Sequence, residues 1–177
     1  MKILRFLFMC GFAVMVGVFI GRTTIRSITA RDFTILYSLD EKQNDQALVR
    51  AIDDAQQYVY FAIYEFTKED IADALIRAKG RGLGVEGIMD VDQSRNGTQA
   101  DIVRKLRNAG IQVEFQKHPR GIMYIKLLVT DGAYALGSYN WTAAATTLND
   151  EVLEIGTAES LREQYLDIVK KVLTANQ

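Results

Sequence analysis

The chain has 177 residues, of which 49% are hydrophobic and one is proline, a composition that suits one globular domain and excludes intrinsic disorder. Its net charge of −1 is unevenly spread: Lys2, Arg5, Arg22 and Arg26 are the only charges in residues 1–30, which leaves 17 basic against 22 acidic residues in 31–177. That acidic remainder excludes the broad basic footprint of a sequence-independent nucleic-acid binder, though not a small basic site. One cysteine, Cys10, and one histidine, His118, exclude an intrachain disulfide and a Cys/His zinc cluster.

Phe6 to Ile20 is an uninterrupted apolar run with basic residues on both sides. It is longer than a signal-peptide core and, counting Ile3 and Leu4 with Arg5 snorkelling, long enough for a short span. Residues 3–20 are therefore expected to contact the membrane as an uncleaved signal anchor, with a cleaved export signal as the alternative. Basic flanks on both sides leave the orientation open. The expected division is an anchor and linker over 1–30 and one domain over 31–177.

From residue 33 onward, strand and helix patterns alternate in the α/β manner. Phe33–Ser38 reads as a strand, Gln46–Gln57 as a helix with apolar residues at helical spacing, and Tyr58–Tyr64 as a buried strand. Thr67, with Asp70 three residues on, is the expected N-cap of a helix that Gly80-Arg81-Gly82 stops. Val85–Met89 is the next strand, and the polar stretch Asp90 to Gly97 an exposed turn. A helix over Gln99–Asn108 then ends at Gly110, followed by the strand Ile111–Phe115. Tyr124–Thr130 and Ala133–Leu136 form a hairpin about Asp131-Gly132. Ala143–Thr147 reads as a short helix, Glu151–Ile155 as a strand, and Ser160–Leu173 as a closing amphipathic helix capped by Ser160 with Glu163.

The chemistry concentrates in Y-I-K-L-L-V-T-D-G-A-Y-A-L-G-S-Y-N, residues 124–140. In an extended strand, side chains two apart share a face, so Tyr124 and Lys126 project together. A lysine in a buried strand needs an anion, because an unpaired charge is costly to bury. That anion is an internal carboxylate or a bound phosphate. Ser138 and Asn140 add short polar groups able to hydrogen-bond a phosphate oxygen, which favours the second reading.

Lys126, Asp131, Gly137, Ser138 and Asn140 together resemble the His-x-Lys-x-x-x-x-Asp and Gly-Ser-x-Asn motif of the phospholipase D superfamily, with Tyr124 in the histidine slot. Ala62–Thr67, Ala109–Glu114, Gly137–Thr142 and Asn149–Glu151 extend the likeness over nearly all of 33–175. The resemblance is closest to small single-motif nucleases and anchored lipid hydrolases. It implies a mixed β-sheet flanked by helices on both faces, here preceded by an N-terminal hydrophobic helix. It also implies a homodimer that pairs two half-sites. The activity implied is metal-independent hydrolysis of a phospholipid or nucleic-acid phosphodiester through a phosphohistidine. By position, Lys126, Ser138 and Asn140 would bind phosphate and Glu151 would orient the histidine. Asp131 is the motif aspartate, more structural than chemical in this reading.

The sequence departs from that pattern in two places. Tyr124 replaces the nucleophile, and a phenol with a reference pKa near 10 is a poor proton shuttle at neutral pH beside an imidazole near 6.5. Tyr124 is then an alternative nucleophile, a packing or stacking residue in a catalytically inactive phosphodiester-binding protein, or a one-base variant of an active parent. Five residues, Gly132 to Leu136, separate Asp131 from Gly137 where the family usually has six, and one residue lost in a strand would reverse its faces unless the turn absorbs it. His118 reads as a solvated loop residue. Asp90 and Asp92 read as turn residues rather than a metal pair, Tyr134, Tyr139 and Trp141 as core or cleft, and Lys117 and Arg120 as rim charges.

Overall fold

The continuous apolar run at the centre of the domain becomes a strand buried on both faces, and the rest of the architecture is arranged about it. The computed structural model describes residues 32–95, 97–117 and 120–177. The anchor helix and the reading of His118 lie outside the described residues, and among these no helix is long and apolar enough to cross a membrane. In chain order the elements are β1 (Phe33–Tyr37), α1 (Ser38–Glu41), α2 (Asn44–Asp53), β2 (Tyr58–Ile63), α3 (Glu69–Gly80) and β3 (Gly84–Met89). A 3-10 turn (Gln93–Arg95), α4 (Gly97–Asn108), β4 (Gln112–Phe115), β5 (Lys126–Thr130) and β6 (Tyr134–Gly137) follow. The chain closes with α5 (Ala143–Thr147), β7 (Val152–Gly156) and α6 (Glu159–Thr174).

The seven strands form one mixed sheet in the order β1-β7-β6-β5-β2-β3-β4. β2, β3 and β4 run parallel, whereas β5 lies antiparallel to β2, and β6, β7 and β1 continue antiparallel. Alternation along β2 sends Val59, Phe61 and Ile63 to a core shared with α2, α3 and α4, and Ala62 to a second core with Val169 and Leu173 of α6. Helices therefore cover both faces, which is why β2 carries no polar alternation. Tyr134, Tyr139 and Trp141 are all buried in this packing, so they are core residues rather than cleft lining.

Several local expectations differ from the structure. Thr67 does not cap α3: its N–H and that of Lys68 both donate to the Trp141 carbonyl, and Lys68, the residue before the helix, ion-pairs with Asp45 and Asp70. Ser160 lies inside α6, which starts at Glu159 without a side-chain cap. Asp90 is not in an exposed turn but 2% exposed, with Oδ1 accepting from the N–H groups of Asp92 and Gln93 and Oδ2 from that of Met123. Both oxygens of that carboxylate serve loop closure. Tyr124 precedes β5 rather than opening it.

Gly132 to Leu136 form the hairpin turn and most of β6. Leu127 pairs with Leu136 and Val129 with Tyr134, so Gly137 stands at the level of Lys126. Neither Asp131 nor Gly132 takes a positive φ; Thr130 Oγ1 instead accepts from the N–H groups of Gly132 and Ala133 and closes the turn. Gly137 is required there, because a Cβ would stand 2.0 Å from the Val152 carbonyl oxygen on β7. Gly137→Ala is expected to lose roughly 1–3 kcal/mol of stability, read as a lower melting temperature, since backbone and not a flexible side chain would have to yield.

Candidate active site

Because β2, β3 and β4 are parallel, their C-terminal ends share one edge of the domain with the start of β5, the end of β6 and the start of β7. Crevices at such strand ends are where open α/β sheets bind ligands. Lys126, the first residue of β5, is 8% exposed and pairs in register with Ile63 at the end of β2. Its ammonium donates to the Tyr124 carbonyl at 3.1 Å and sits 3.5 Å from the centroid of the Tyr124 ring and 5.1 Å from that of Tyr64. The two rings are 4.8 Å apart, and the Tyr64 hydroxyl accepts from Gln93 Nε2 at 2.9 Å. Ring faces and one carbonyl stabilise the charge in part, but Lys126 forms no ion pair among the described residues. It is a buried cation at the sheet edge, held without a carboxylate partner among the described residues.

Glu151, also 8% exposed, lies just before β7. Ser138 donates its hydroxyl to Glu151 Oε2, and Asn149 Nδ2 donates to Oε1 at 3.3 Å. Fully buried Ser38, the first residue of α1 just past β1, fixes the same residue: its Oγ accepts from the Glu151 N–H and its own N–H donates to the Glu151 carbonyl, both at 3.0 Å. Asn140 completes the edge with Oδ1 buried and without a partner among the described residues, the kind of unsatisfied group that marks functional sites.

Tyr124, Lys126, Ser138, Asn140 and Glu151 thus converge on one edge. Asp131 does not join them. It lies beyond the opposite end of β5, about 17 Å along the strand from Lys126. There its Oδ1 accepts from the N–H groups of Gln56 and Gln57 at 3.0 and 3.1 Å. Burial works to raise its pKa, but these backbone donors prevail and hold the carboxyl below its ordinary value. A depressed acid contributes stability that is present above its unfolded pKa and lost as pH falls through the folded one. Asp131→Ala should therefore cost about 1–3 kcal/mol at neutral pH, flatten the acid side of the stability profile, and leave anion binding unchanged.

Three participants were not singled out in the sequence. Tyr64 reads there as the last residue of a strand, and Ser38 as the end of another. Gln99 is 1% exposed and bridges the site's walls: its Oε1 accepts from the Phe66 N–H at 2.7 Å, while Nε2 donates to the Tyr64 carbonyl at 3.4 Å and to Ser94 Oγ at 3.2 Å. Its signal was present, since Gln99 falls at helical spacing with Ile102, Val103 and Leu106 on the buried face of α4. Lys117 donates its ammonium to a backbone oxygen of Gln177 beside the end of α6.

Burial pushes the pKa of Lys126 below the ordinary lysine range, and the carboxylates of Glu151 and Glu65 act in the opposite direction without restoring it. An anion that binds the protonated form should be released as pH rises through this lowered pKa, earlier than an ordinary lysine would allow. Between the folded and unfolded values the unfolded chain holds a proton that the folded chain has shed, so stability rises with pH in that window. Anion-binding and melting profiles over the alkaline range check both signs.

Residues 48–173 match the family described as "Cardiolipin synthase, PLD-like domain". The chain belongs to the phospholipase D-like family. It is 37% identical over 90 residues to a mitochondrial cardiolipin hydrolase of Chlamydomonas reinhardtii, covering 50% of this chain and 39% of that protein. A phospholipase D of Rickettsia conorii is 32% identical over 120 residues, 67% of this chain and 58% of its own length. The chain thus spans less than two thirds of these curated relatives. The crystal structure of a phospholipase D family member, Nuc from Salmonella typhimurium, superposes with a TM-score of 0.76 at 26% identity, covering 82% of this chain and 95% of that one. These relatives carry the names of phosphodiester-cleaving enzymes. They fit the mixed sheet and the family assignment that the 124–140 motif implies.

Proposed function

We propose that the chain binds phosphodiesters through a phospholipase D-like half-site, which a second copy completes across a two-fold axis, and that Tyr124 impairs the hydrolysis such a site supports. The observation that carries this reading is the buried Lys126 ammonium, without a counter-ion among the described residues and on the same sheet edge as Ser138, Asn140 and Glu151. A phosphate oxygen would supply the missing negative charge. Single-motif organisation supports the dimer, since one half-site offers one lysine and one asparagine for a transition state with spread charge.

Tyr124 decides between turnover and recognition. Its ring, 61% exposed, presents a face to the Lys126 ammonium. That contact stabilises the lysine but does not direct the ammonium at the phenol oxygen, which favours recognition over catalysis. Residues 3–20 supply the proposed membrane tether, which would bring phospholipid within reach. The test is hydrolysis of phosphatidylcholine, a chromogenic phosphodiester and single-stranded DNA by the native chain and by Tyr124→Phe. Binding with little or no turnover supports the reading. Rapid turnover by the native protein that Tyr124→Phe abolishes would make Tyr124 a working nucleophile instead. Sedimentation of the full chain in detergent checks the dimer.

A further inference from the structure

Residue 124 makes both of the close contacts to the Lys126 ammonium. Its carbonyl accepts from Nζ at 3.1 Å, and its ring folds back so that the centroid stands 3.5 Å from the same nitrogen. Tyr64 supplies a second, more distant ring face at 5.1 Å. A ring face is the negative part of an aromatic quadrupole, so it stands in for the counter-ion that Lys126 lacks. With these groups in place the lysine is buried. An incoming phosphate oxygen has to take the place of one of them.

They differ in how firmly they are held. The backbone on either side of Tyr124 is pinned: buried Met123 donates its N–H to Asp90 Oδ2 at 3.1 Å, and the Ile125 carbonyl accepts from the Tyr64 N–H at 3.0 Å. The Tyr124 carbonyl is therefore fixed. Tyr64 is half-buried, with its hydroxyl accepting from Gln93 and its carbonyl from Gln99. The Tyr124 ring, by contrast, is mostly exposed, and its hydroxyl has no partner among the described residues. Its other ring contact there is Tyr64, with centroids 4.8 Å apart. The ring can rotate about its side-chain bonds without any movement of the backbone, a picosecond-to-nanosecond event for an exposed side chain.

We propose that the Tyr124 ring is an autoinhibitory latch on the anion site, closed over the Lys126 ammonium in the free protein and turned away when a phosphodiester binds. This inference rests on the phosphate-site reading given above. The latch keeps the buried charge compensated while the site is empty, which is why a lysine without an ion pair is tolerated there. It also sets a threshold, because apparent affinity is scaled down by the fraction of molecules with the ring turned away. Every anion meets the same factor, so dilute free anions are turned away and a ligand at high local concentration fills the site.

Calorimetric titration of the full chain in detergent with diethyl phosphate tests this on the native protein, Tyr124→Phe, Tyr124→Leu and Tyr124→Ala. Chains carrying mono-, di- and trifluorinated phenylalanine at position 124 extend the series, because fluorine drains the ring face and leaves its size nearly unchanged. Tyr124→Phe should match the native chain. Tyr124→Ala should bind roughly tenfold more tightly, the fold-change equivalent to one cation–π contact, and affinity should climb with each fluorine. Tyr124→Leu should bind nearly as tightly as Tyr124→Ala; a leucine chain as weak as the native one would mark simple steric cover and overturn the latch. Affinity that stays flat across the fluorinated chains, or falls in Tyr124→Ala, overturns it as well while leaving the phosphate site standing. Binding by none of these chains would remove the phosphate-site reading and this inference with it.

Discussion

Tyr124→His should raise phosphodiester hydrolysis by about 10²–10⁴-fold, the range a positioned acid–base group contributes. The substitution puts an imidazole with a reference pKa near 6.5 where a phenol near 10 now lies. The surroundings needed are already in place. Lys126 stands beside position 124 with its ammonium unpaired by any described carboxylate, and Glu151 is buried at the same edge. In a dimer each copy would gain one imidazole, so one could attack phosphorus while the other protonates the leaving group. Because residue 124 is 61% exposed, the exchange should cost little stability, which keeps the comparison clean. Initial rates on a chromogenic phosphodiester, at equal folded fraction, measure it. An inert Tyr124→His chain that still binds the substrate would show that the impairment extends beyond one residue.

Lys126→Met should weaken phosphodiester binding by about 10–100-fold, equivalent to losing a hydrogen bond to a charged group, and at the same time raise the melting temperature. The opposite signs follow from the same observation. Lys126 is 8% exposed and keeps its charge against burial with two ring faces and one carbonyl as compensation. Methionine fills similar volume without that electrostatic cost, so the fold gains what the site loses. A lysine with a purely structural ion pair would behave the other way, and its removal would destabilise the chain. Paired titration and melting of native and Lys126→Met proteins distinguish the two.

The fold was readable where one local signal matched one tertiary role. The apolar run expected as a buried strand over Tyr58–Tyr64 is one over Tyr58–Ile63, and the short helix Ala143–Thr147 has the bounds its composition suggests. Gly80-Arg81-Gly82 ended α3 as expected, with Gly82 at a φ of 89°. Cap positions were less legible, since tertiary donors and acceptors displaced the local ones. Thr67 is drawn to the Trp141 carbonyl, a contact 74 positions away that no local pattern encodes. Asp90 looked like a turn residue because its neighbours are polar, yet its carboxylate ties the loop after β3 to Met123.

The site was legible as a set of residue types and only partly as an arrangement. Lys126, Ser138, Asn140 and Glu151 come to one edge because β5, β6 and β7 are antiparallel neighbours with their site ends aligned, which the two-apart spacing within the motif already favoured. Asp131 belongs to the same motif but caps the other end of the strand, where its hydrogen bonds hold the chain entering β2. Gln99 and Ser38 come from distant segments and carry no motif of their own. Their contribution follows from the sheet order that brings the ends of β1 and β2 and the start of β7 to one edge.

The account stands most directly on Lys126 being the group that meets the phosphate. Side-chain NMR of the Lys126 ammonium and of the Tyr64 and Tyr124 rings, followed while the full chain is titrated with diethyl phosphate or glycerophosphocholine, reads that contact without relying on turnover. The account predicts that one saturable isotherm moves the Lys126 ammonium and both rings together. Saturation by the ligand with Lys126 and its two rings unmoved would contradict it.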